Sequence, residues 1–418
     1  MTRGKERNFL GVVNEICCGL DVHKQIIVAC MMYVDEEGKG QWEIREFGTF
    51  TDDLVNLLEW IESYNCPVVA MESTGIYWRP VYNILEPFVT VILANARHIK
   101  RVPGRKTDIG DSEWLAELLR YGLVPGSFIP PREVREWRTL TRMRDKLGKV
   151  QADFRRRIQK HLESANIRTD SVVTDLFGVT GRNILDLLAS GRRDIREEDI
   201  EQCVRGKLRG KERELWRSVQ GFLTEVNQFG LRALMAILRT IEEQITAIDQ
   251  KLASLMTKQE ELIARLCEVP GIGVISARAI LAEIGTTLDN FPSAEHLASW
   301  SGMCPGNHRS AGKSKGGKSG VRDHPLKTIM TEVSWAATRS KGTFYRAKYF
   351  RLKNRRGSNR AVVAVGHSIL VSVFHIIKEG VRYRELGEAY FLERQKVQSI
   401  KRLRKQAESL GYALTPLP

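Results

Sequence analysis

The chain has 418 residues, of which 42% are hydrophobic and 28% are charged. The length suggests about two to four domains, and the proportions are typical of a globular protein and exclude a largely disordered chain. Lysine and arginine number 65 against 50 for aspartate and glutamate, which gives a net charge of +15. This excess of positive charge favours polyanionic partners.

Neither the cysteines nor the apolar segments indicate export or membrane insertion. The seven cysteines form no Cys-x-x-Cys pair, which favours reduced thiols in the cytoplasm over a disulfide framework or a zinc site. Residues 1–11 lack the apolar core of a signal peptide. The most apolar stretch, residues 361–377, contains two histidines and two serines and is short for a bilayer span. It predicts a buried core helix, and we expect no membrane partner.

Residues 14–125 alternate between strand and helix patterns. Short runs rich in β-branched and apolar residues predict strands, and the amphipathic runs between them predict helices. This alternation is typical of an α/β sheet domain. The predicted strands lie within residues 16–34 (two strands), 42–50, 67–72 and 88–94, and the predicted helices span residues 54–64, 79–86 and 111–122.

The middle of the chain predicts two long helical arms, residues 130–165 and 229–262, which flank a helical insert at residues 166–228. Apolar residues of the second arm recur with 3-4 spacing, which is the pattern of a coiled-coil seam. The arms could pair with each other or with another protomer, and the spacing does not decide between the two. The seam consists of Leu231, Leu234, Leu238, Ile241, Ile245, Ile248, Leu252 and Leu255.

Residues 263–385 predict a third, mostly α-helical unit, and a basic tail follows at residues 386–418. Positive charge is concentrated in the third unit, with fifteen lysines and arginines against two acids between residues 309 and 360. A solvent-exposed helix face normally mixes both signs, so this stretch predicts a contact with a phosphate backbone. Its helical part contributes Arg351, Lys353, Arg355 and Arg356.

Four acidic residues occupy strand ends or helix starts of the N-terminal block: Asp21, Glu72, Asp108 and Asp111. Each has an ordinary alternative, because acids are common at solvated strand ends and in the first turn of helices. Clustered carboxylates would repel one another unless a divalent cation neutralised them. Mg²⁺ prefers oxygen ligands and keeps waters for substrate phosphates, and a pair of such ions assists phosphoryl transfer. The set therefore predicts a Mg²⁺ site, which Mn²⁺ could also occupy.

A glycine-rich basic loop spans residues 302–325. Its segment 312–319 matches the GxxxxGK[ST] pattern of nucleotide-binding loops, but no strand pattern precedes it and Pro325 follows closely, so the context argues against ATP or GTP binding. Such a loop favours contact with a phosphate backbone instead. Ser310 could act as a nucleophile with His308 as its base, or both could be ordinary loop residues. The loop cations are Arg309, Lys313, Lys315 and Lys318.

The segment VPGIG at residues 269–273 precedes an apolar helical pattern. Gly271 and Gly273 could leave backbone N–H groups free at a helix N-terminus, which is a phosphate site without base specificity. The segment resembles the helix-hairpin-helix motif of DNA-binding proteins. The alternative is a tight turn packed in a core.

Five motifs of this chain occur together, and in the same order, in a known protein family. The chain resembles the DEDD transposases of insertion sequence family 110 in its N-terminal block, its third unit and the coiled coil between them. The insert and the basic tail make the chain longer than typical members, so the resemblance implies nothing for them. The motifs are GLDVHK (19–24), ESTGIYW (72–78), KTDIGDSEWLAELL (106–119), VPGIG (269–273) and HRSAGK (308–313).

The resemblance implies a ribonuclease H-like N-terminal domain of Holliday-junction-resolvase type and a C-terminal transposase domain. Asp21, Glu72, Asp108 and Asp111 would bind Mg²⁺, and Ser310, which precedes a small residue and a glycine, would attack the DNA phosphodiester to form a phosphoserine. Members of the family act on double-stranded donor and target DNA under the guidance of an element-encoded bridge RNA. They act as homodimers that pair into homotetramers. The implied location is the cytoplasm of a prokaryote, in association with the nucleoid.

Two other functions remain open on the residues alone. A metal-dependent resolvase or nuclease of Holliday-junction type would keep the acidic residues and use water in place of Ser310. A non-catalytic nucleic-acid-binding protein would bind with an affinity that falls with salt, and it would cleave no strand. Cleavage assays on variants of Asp21 and Ser310 distinguish the three functions.

Overall fold

The structure is a computed structural model that describes residues 11–72, 75–94, 110–192, 194–304, 308–310, 313–315 and 324–415. For residues 308–310, 313–315 and 395 it describes the backbone alone. The chain divides into two compact units, Met1–Ile129 and Pro130–Pro418. Each unit is described by itself.

The first unit contains a five-stranded mixed sheet with the strand order β3-β2-β1-β4-β5. Strands β1, β2 and β3 pair antiparallel, whereas β1 pairs with β4, and β4 with β5, in parallel. The parallel pairs require crossover connections, which the helices between the strands provide. The elements are β1 (Cys17–Val22), β2 (Ile27–Val34), β3 (Gly40–Phe47), α1 (Thr51–Ser63), β4 (Val68–Glu72), α2 (Trp78–Leu85), β5 (Thr90–Ala94) and α3 (Asp111–Arg120).

Helices cover both faces of this sheet, and this explains why its central strands are apolar almost throughout. Side chains alternate between the two faces along a strand. Leu20 of β1 and Met71 of β4 point to the face that packs against α1 and α2. Cys17 of β1 and Ala70 of β4 point to the opposite face, which packs against α3. The sequence prediction of an α/β sheet domain is confirmed, and the predicted strands and helices overlap the observed ones.

The second unit is helical apart from a short strand pair, in the parts of the chain that the structure describes. Its helices are α4 (Arg132–Ser164), α5 (Val179–Ala189), α6 (Glu197–Cys203), α7 (Glu212–Ser218), α8 (Glu225–Leu255), α9 (Glu260–Cys267), α10 (Val274–Ile284), α11 (Ala294–Trp300), α12 (Pro325–Arg339), α13 (Phe344–Arg356), α14 (Ser358–Glu379) and α15 (Gly387–Ser409). The strand pair consists of β6 (His308–Ser310) and β7 (Lys313–Lys315).

The two long helices α4 and α8 pack against each other within one chain. Their polar contacts run in opposite directions along the two helices, from His161 with Asn227 at one end to Arg144 with Asp249 towards the other. The pair is therefore antiparallel. Of the apolar seam in α8, Leu231, Leu238, Ile241, Ile248 and Leu252 are buried. The question that the sequence left open is answered here in favour of pairing within the chain.

The insert folds into a small helical module on this pair. Leu188 and Ile200 of the insert share one buried apolar cluster with Ile158 of α4 and Leu231 of α8. The module also makes a polar contact with a long helix, because Arg182 of α5 donates a 2.6 Å hydrogen bond to Glu242 of α8. The insert is thus part of the second unit's core.

Helix α14 is the centre of the C-terminal bundle, where it contacts α9, α11, α12 and α13. Among the described residues it is the one helix long and apolar enough to cross a membrane, with a mean hydropathy of 1.8 over its most apolar window, half of which is buried. Val365, Ile369 and Val373 of this helix are fully buried in the bundle. This agrees with the core helix that the sequence predicts over residues 361–377.

Candidate catalytic site and nucleic-acid surface

Asp21 and Glu72 lie at corresponding positions of adjacent parallel strands. The pairing of β1 with β4 matches Gly19 with Ala70 and Leu20 with Met71. Asp21 and Glu72 are the next residue along each strand, at the carboxyl ends. The carboxyl edge of a parallel pair is the usual place for a site in α/β folds, because the strands end there and connecting segments begin. The structure therefore brings these two predicted residues together.

The third acid, Asp111, begins the helix that covers the same face of the sheet. Asp21 follows Gly19 by two residues, so both point to the face covered by α3. A Cβ atom on Gly19 would lie 2.3 Å from the carbonyl oxygen of Ser112 and 2.5 Å from the amide nitrogen of Ala116. The first turn of α3 thus passes directly over β1, two residues before Asp21. Asp111 is the first residue of that turn, where the helix dipole favours a negative charge.

Asp21 has a contact that the sequence analysis missed. The Nε2 atom of His23 lies 3.0 Å from Oδ2 of Asp21, and the Asp21 side chain is 23% exposed. His23 can therefore orient this carboxylate, which stays partly exposed. The spacing of two residues at a strand end is the signal that could have identified this pair, because such residues share one side of the strand.

The fourth predicted acid, Asp108, lies outside the described residues. Within the described part of the chain, no group of three or more histidine, cysteine, aspartate or glutamate side chains is placed to hold a metal ion. The carboxylates of Asp21 and Glu72 fit a pair of hard oxygen ligands, as Mg²⁺ requires. They fit a divalent site in donor chemistry, and a full ligand set needs a further group such as Asp108.

The cysteines do not offer an alternative metal site. All seven are free. Burial, with a smaller contribution from Cys66, raises the pKa of Cys17 to about 12, and burial together with Glu113 raises the pKa of Cys30 to about 12. Because the thiolate is the form that binds metals, these buried thiols stay protonated and act as core residues.

Ser310 ends strand β6, where it pairs with Lys313 of β7, and Arg309 pairs with Ser314. The strands form a short antiparallel ribbon, which places the backbones of two predicted loop cations, Lys313 and Lys315, beside that of the predicted nucleophile. Lys318 lies outside the described residues.

The described chain resumes after the loop at His324, which caps α12. Its Nδ1 accepts a 3.2 Å hydrogen bond from the amide of Leu326, and its ring meets that of Trp300 edge-on at 4.2 Å. Burial lowers the pKa of His324, so this ring is neutral near pH 7. With Nδ1 as the acceptor, Nε2 carries the proton. Helix α12 therefore begins at a partly buried, neutral histidine.

The two glycines of the VPGIG segment differ in their surroundings. Gly271 has a φ of +92°, and a Cβ atom there would lie 2.3 Å from the carbonyl oxygen of Val333 in α12. Gly273 caps α10 in the open, with no atom within 4 Å of a Cβ placed on it, but its amide donates to Ser276 Oγ at 2.9 Å. Gly271 therefore lies in a tight turn packed in the core, which was the alternative interpretation of this segment. Gly273 is accessible to a ligand.

Helix α13 presents the predicted cations to solvent and packs most of its aromatic rings inward. Arg351, Lys353, Arg355 and Arg356 are all exposed. Tyr345 and Tyr349 are buried, whereas Phe350 is 44% exposed. The aromatic residues in this basic stretch thus mainly anchor the helix to the bundle.

The ammonium group of Lys348 points away from the other cations of α13. It donates a hydrogen bond to Ser368 Oγ of α14. Burial, with a smaller contribution from Arg394, lowers the pKa of Lys348. Lys348 therefore packs within the bundle. The exposed cation row of α13 consists of Arg351, Lys353, Arg355 and Arg356.

Comparisons with known proteins agree with this division of the chain. A family model of DEDD transposases of the IS110 type matches residues 18–167. A second model, for transposases of the IS116/IS110/IS902 family, matches residues 263–349. The first match contains the carboxylates at the sheet edge, and the second contains the VPGIG turn, the serine loop and part of the basic helix. These two matches show that the chain is similar to transposases over both segments.

Two curated relatives show the same resemblance. A Pseudomonas aeruginosa protein, named as a family 20 transposase, is 28% identical over 158 residues, which are 37% of this chain and 46% of that protein. A Sinorhizobium fredii protein, named as the transposase y4pF/y4sB, is 27% identical over 154 residues, which are 35% of this chain and 39% of that protein. The chain spans less than half the length of the curated relatives it matches. It resembles the transposases of the IS110 family.

Proposed function

We propose that this protein is an insertion-sequence transposase that cleaves and rejoins DNA through a covalent phosphoserine, guided by a bridge RNA. Asp21, Glu72, Asp108 and Asp111 would hold Mg²⁺, and Ser310 would be the nucleophile. The first unit would be a ribonuclease H-like domain. The observation that carries the proposal is the matched position of Asp21 and Glu72 at the carboxyl edge of the sheet, with Asp111 opening the helix above the same face.

In this proposal the acidic residues and the lysines act electrostatically, and Ser310 forms the covalent bond. Mg²⁺ supplies charge neutralisation of a phosphate and of the carboxylates that hold it. Ser310 Oγ forms a new P–O bond to the scissile phosphorus, the bridging P–O bond to the adjacent nucleotide breaks, and the serine proton passes to the departing oxygen. The serine ester keeps the energy of the broken bond for rejoining, so the reaction needs no ATP. Lys313 and Lys315, on the strand paired with Ser310, would stabilise the charged phosphate.

The partners would be donor DNA, target DNA and an RNA that selects them by base pairing. The net charge of +15 and the exposed cation row of α13 support binding to such polyanions. The family resemblance supports the guide RNA and an assembly of homodimers into a homotetramer. A cytoplasmic, nucleoid-associated location would follow from these partners.

The covalent step is tested with a suicide DNA substrate whose released strand cannot rejoin. The wild-type protein should accumulate a protein–DNA adduct that survives denaturing electrophoresis. Ser310→Ala should abolish the adduct, and the matched control Ser314→Ala, on the paired strand, should retain it. An adduct that persists in Ser310→Ala would refute the assignment of the nucleophile.

The role of the acidic residues is tested on the same substrate. Asp21→Asn keeps the size of the side chain and removes its charge, and we expect strand cleavage to fall by at least about a hundredfold, in line with loss of an electrostatic catalytic group. Glu46→Gln is the control, because it removes an acid from the same sheet face at a position paired with Val28. Cleavage that depends on Asp21 but not on Ser310 would instead indicate the water-using nuclease.

Guidance by RNA has its own test. RNA that co-purifies with the protein should be a discrete species with segments complementary to both DNA sites. Heterogeneous cellular RNA without such segments would count against guidance, and salt-dependent binding without cleavage would leave only a nucleic-acid-binding protein.

A further inference from the structure

A cavity of about 390 Å³ lies within the second unit, where α4, α8, α10 and α12 meet. Its walls include the apolar side chains of Leu252, Ile275 and Ile329, and charged side chains surround them. Ligand pockets range from roughly 300 to 1,000 Å³, so this cavity has the size for a single small group. The proposed cleavage reaction does not use it.

The acids that line this cavity are largely paired already. Asp249 accepts two hydrogen bonds from Arg144, at 2.5 and 3.0 Å. Glu283, which is 2% exposed, accepts two from Arg142 at 2.8 and 2.9 Å. Asp145 accepts one from Lys149 at 2.6 Å. These acids therefore have little capacity left for a cationic ligand.

Arg278 also lines the cavity, and one of its buried donors lacks a partner. The Nε atom of Arg278 is buried and has no hydrogen-bond partner among the described residues, although its guanidinium also donates to the Asp249 carbonyl at 3.4 Å. Leaving a buried donor unsatisfied costs about 1–3 kcal/mol. Lys146 adds an exposed cation at the margin. An occupant that presents acceptor atoms would complement the positive charges of Lys146 and of the Arg278 guanidinium.

Glu332 adds a carboxyl group to the same cavity. Burial and the neighbouring Asp145 raise its pKa, and Lys149 opposes them. This group can accept a hydrogen bond as a carboxylate, or donate one when it is protonated. The lining thus combines apolar walls with a few hydrogen-bond donors and acceptors. Such a lining can contact the faces of a heteroaromatic ring and hydrogen-bond to its polar edge.

We infer that this cavity binds one unstacked nucleobase of the nucleic acid that the protein holds, with the adjoining phosphate on Arg278 and Lys146. Apolar walls accept the base faces, and Arg278 supplies a donor to base or phosphate acceptors. An apolar aromatic ring of a partner protein would fill the walls but offer no acceptor to the Arg278 guanidinium. The cavity also adjoins the first turn of α10, directly after the accessible Gly273. The inference rests on nucleic-acid binding by the proposed function and does not depend on cleavage.

The test uses the full chain and a single-stranded RNA that carries one 4-thiouridine as a photo-crosslinking probe. The wild-type protein should crosslink through residues of α10 and α12, located by mass spectrometry of the peptides. Ala279→Leu, which fills the cavity without changing a charge, should lower this crosslink by about tenfold, as expected when one base loses its binding pocket. Ala236→Leu, on the exposed side of α8, is the matched control and should crosslink like the wild type.

A second variant tests base binding in the cavity if Ala279→Leu fails to fold. Arg278→Gln removes the guanidinium from the cavity wall and should weaken binding of an RNA hairpin with one bulged base by about tenfold relative to the fully paired hairpin. Crosslinks confined to α13, or equal losses for bulged and paired hairpins, would overturn the inference. Both results leave the adduct assay of Ser310 unaffected, so failure of the cavity and failure of the transposase proposal are distinguishable.

Discussion

At Gly19 the sheet and helix α3 approach so closely that a side chain has no room. A Cβ atom would lie 2.3 Å from Ser112 O and 2.5 Å from Ala116 N, and both are backbone atoms that a rotamer change cannot move. We expect Gly19→Ala to lower the free energy of unfolding of the first unit by about 1–3 kcal/mol. The same shift of α3 would displace Asp111, so strand cleavage should fall as well. Thermal unfolding and the suicide-substrate assay measure the two effects.

Gly148 provides the control for this substitution. It lies within α4, and a Cβ atom there would meet nothing within 4 Å. Gly148→Ala should therefore be neutral or stabilise by about 0.5–1 kcal/mol, since glycine is a poor helix former. If Gly19→Ala unfolded at the wild-type temperature, the close packing of α3 on β1 would be wrong.

The same few residues show how much of the candidate site was predictable from sequence. Asp21 and Glu72 could be identified because each ends an apolar run that reads as a strand, and a strand end is a local property. That they lie at matched positions depends on the register of β1 against β4, which no local pattern encodes. His23 was missed because its role depends on the direction in which Asp21 points. Asp108 remains a prediction from its motif.

At the scale of elements, Glu242 connects the insert to both long helices. Its Oε1 accepts hydrogen bonds from Gln151, Arg155 and Arg182 at 3.0, 3.1 and 2.6 Å. Glutamine keeps one acceptor oxygen but removes the negative charge that the two guanidinium groups pair with, in a site where Glu242 is 21% exposed. We expect Glu242→Gln to lower the free energy of local opening of α5 by about 1–2 kcal/mol. Hydrogen exchange of residues 179–189 should accelerate about five- to thirtyfold.

The exchange difference should depend on pH in a defined direction. Burial tends to raise the pKa of Glu242, but the hydrogen bonds from Arg182, Arg155 and Gln151 outweigh burial and hold the pKa below 4.5. The stabilisation is therefore present above the pKa of the unfolded chain and is lost as pH falls through the lower folded value. The ratio of variant to wild-type exchange should stay constant from about pH 6 to 8 and decline towards one as pH falls below 4.5.

Glu243 supplies the matched control, because it is the next residue along α8 and is exposed. Glu243→Gln should leave the exchange of α5 unchanged at every pH. Equal acceleration in both variants would show that the loss of helix charge, and not the contacts of Glu242, is responsible.

The elements themselves were largely predictable, and their partners were not. The 3-4 spacing in α8 identifies an apolar stripe, because periodicity reports which face of a helix is buried. It does not report what covers that face, since a second protomer would satisfy the same stripe. Pairing within the chain is visible through long-range contacts such as Arg144 with Asp249, which two distant segments must supply together. The insert was predicted as helical, but its place in the core of the second unit was not.

At the scale of the whole molecule, the net charge of +15 follows from composition. Which charged side chains lie on the surface could not be predicted from composition. The basic stretch around α13 mixes cations of two kinds. Arg355 and Arg356 are exposed, whereas Lys348 is hydrogen-bonded to Ser368 inside the bundle. A count of lysines and arginines therefore overstates the number that can reach a phosphate. The helical register, which turns some side chains inward, decides which cations remain available.

The exposed arginines of α13 should determine how strongly DNA binding depends on salt. Each phosphate contact to double-stranded DNA contributes about −0.9 to the slope of log affinity against log salt concentration. If Arg355 and Arg356 each contact one phosphate, the variant with both changed to alanine should bind with a slope smaller in magnitude by about 1.8. Lys348→Met should leave the slope unchanged, because its ammonium faces Ser368. Fluorescence anisotropy of one labelled duplex at several salt concentrations measures all three proteins.

The control for the double variant changes two exposed arginines of the insert, Arg196 and Arg209, to alanine. It removes the same net charge from the molecule but from another surface, so it separates the effect of total charge from that of position. Long-range attraction between exposed charges is screened beyond roughly 8–10 Å at physiological salt, so the control should keep the wild-type slope. Equal slopes for the two double variants would mean that binding follows total charge, and that α13 is not a specific DNA contact.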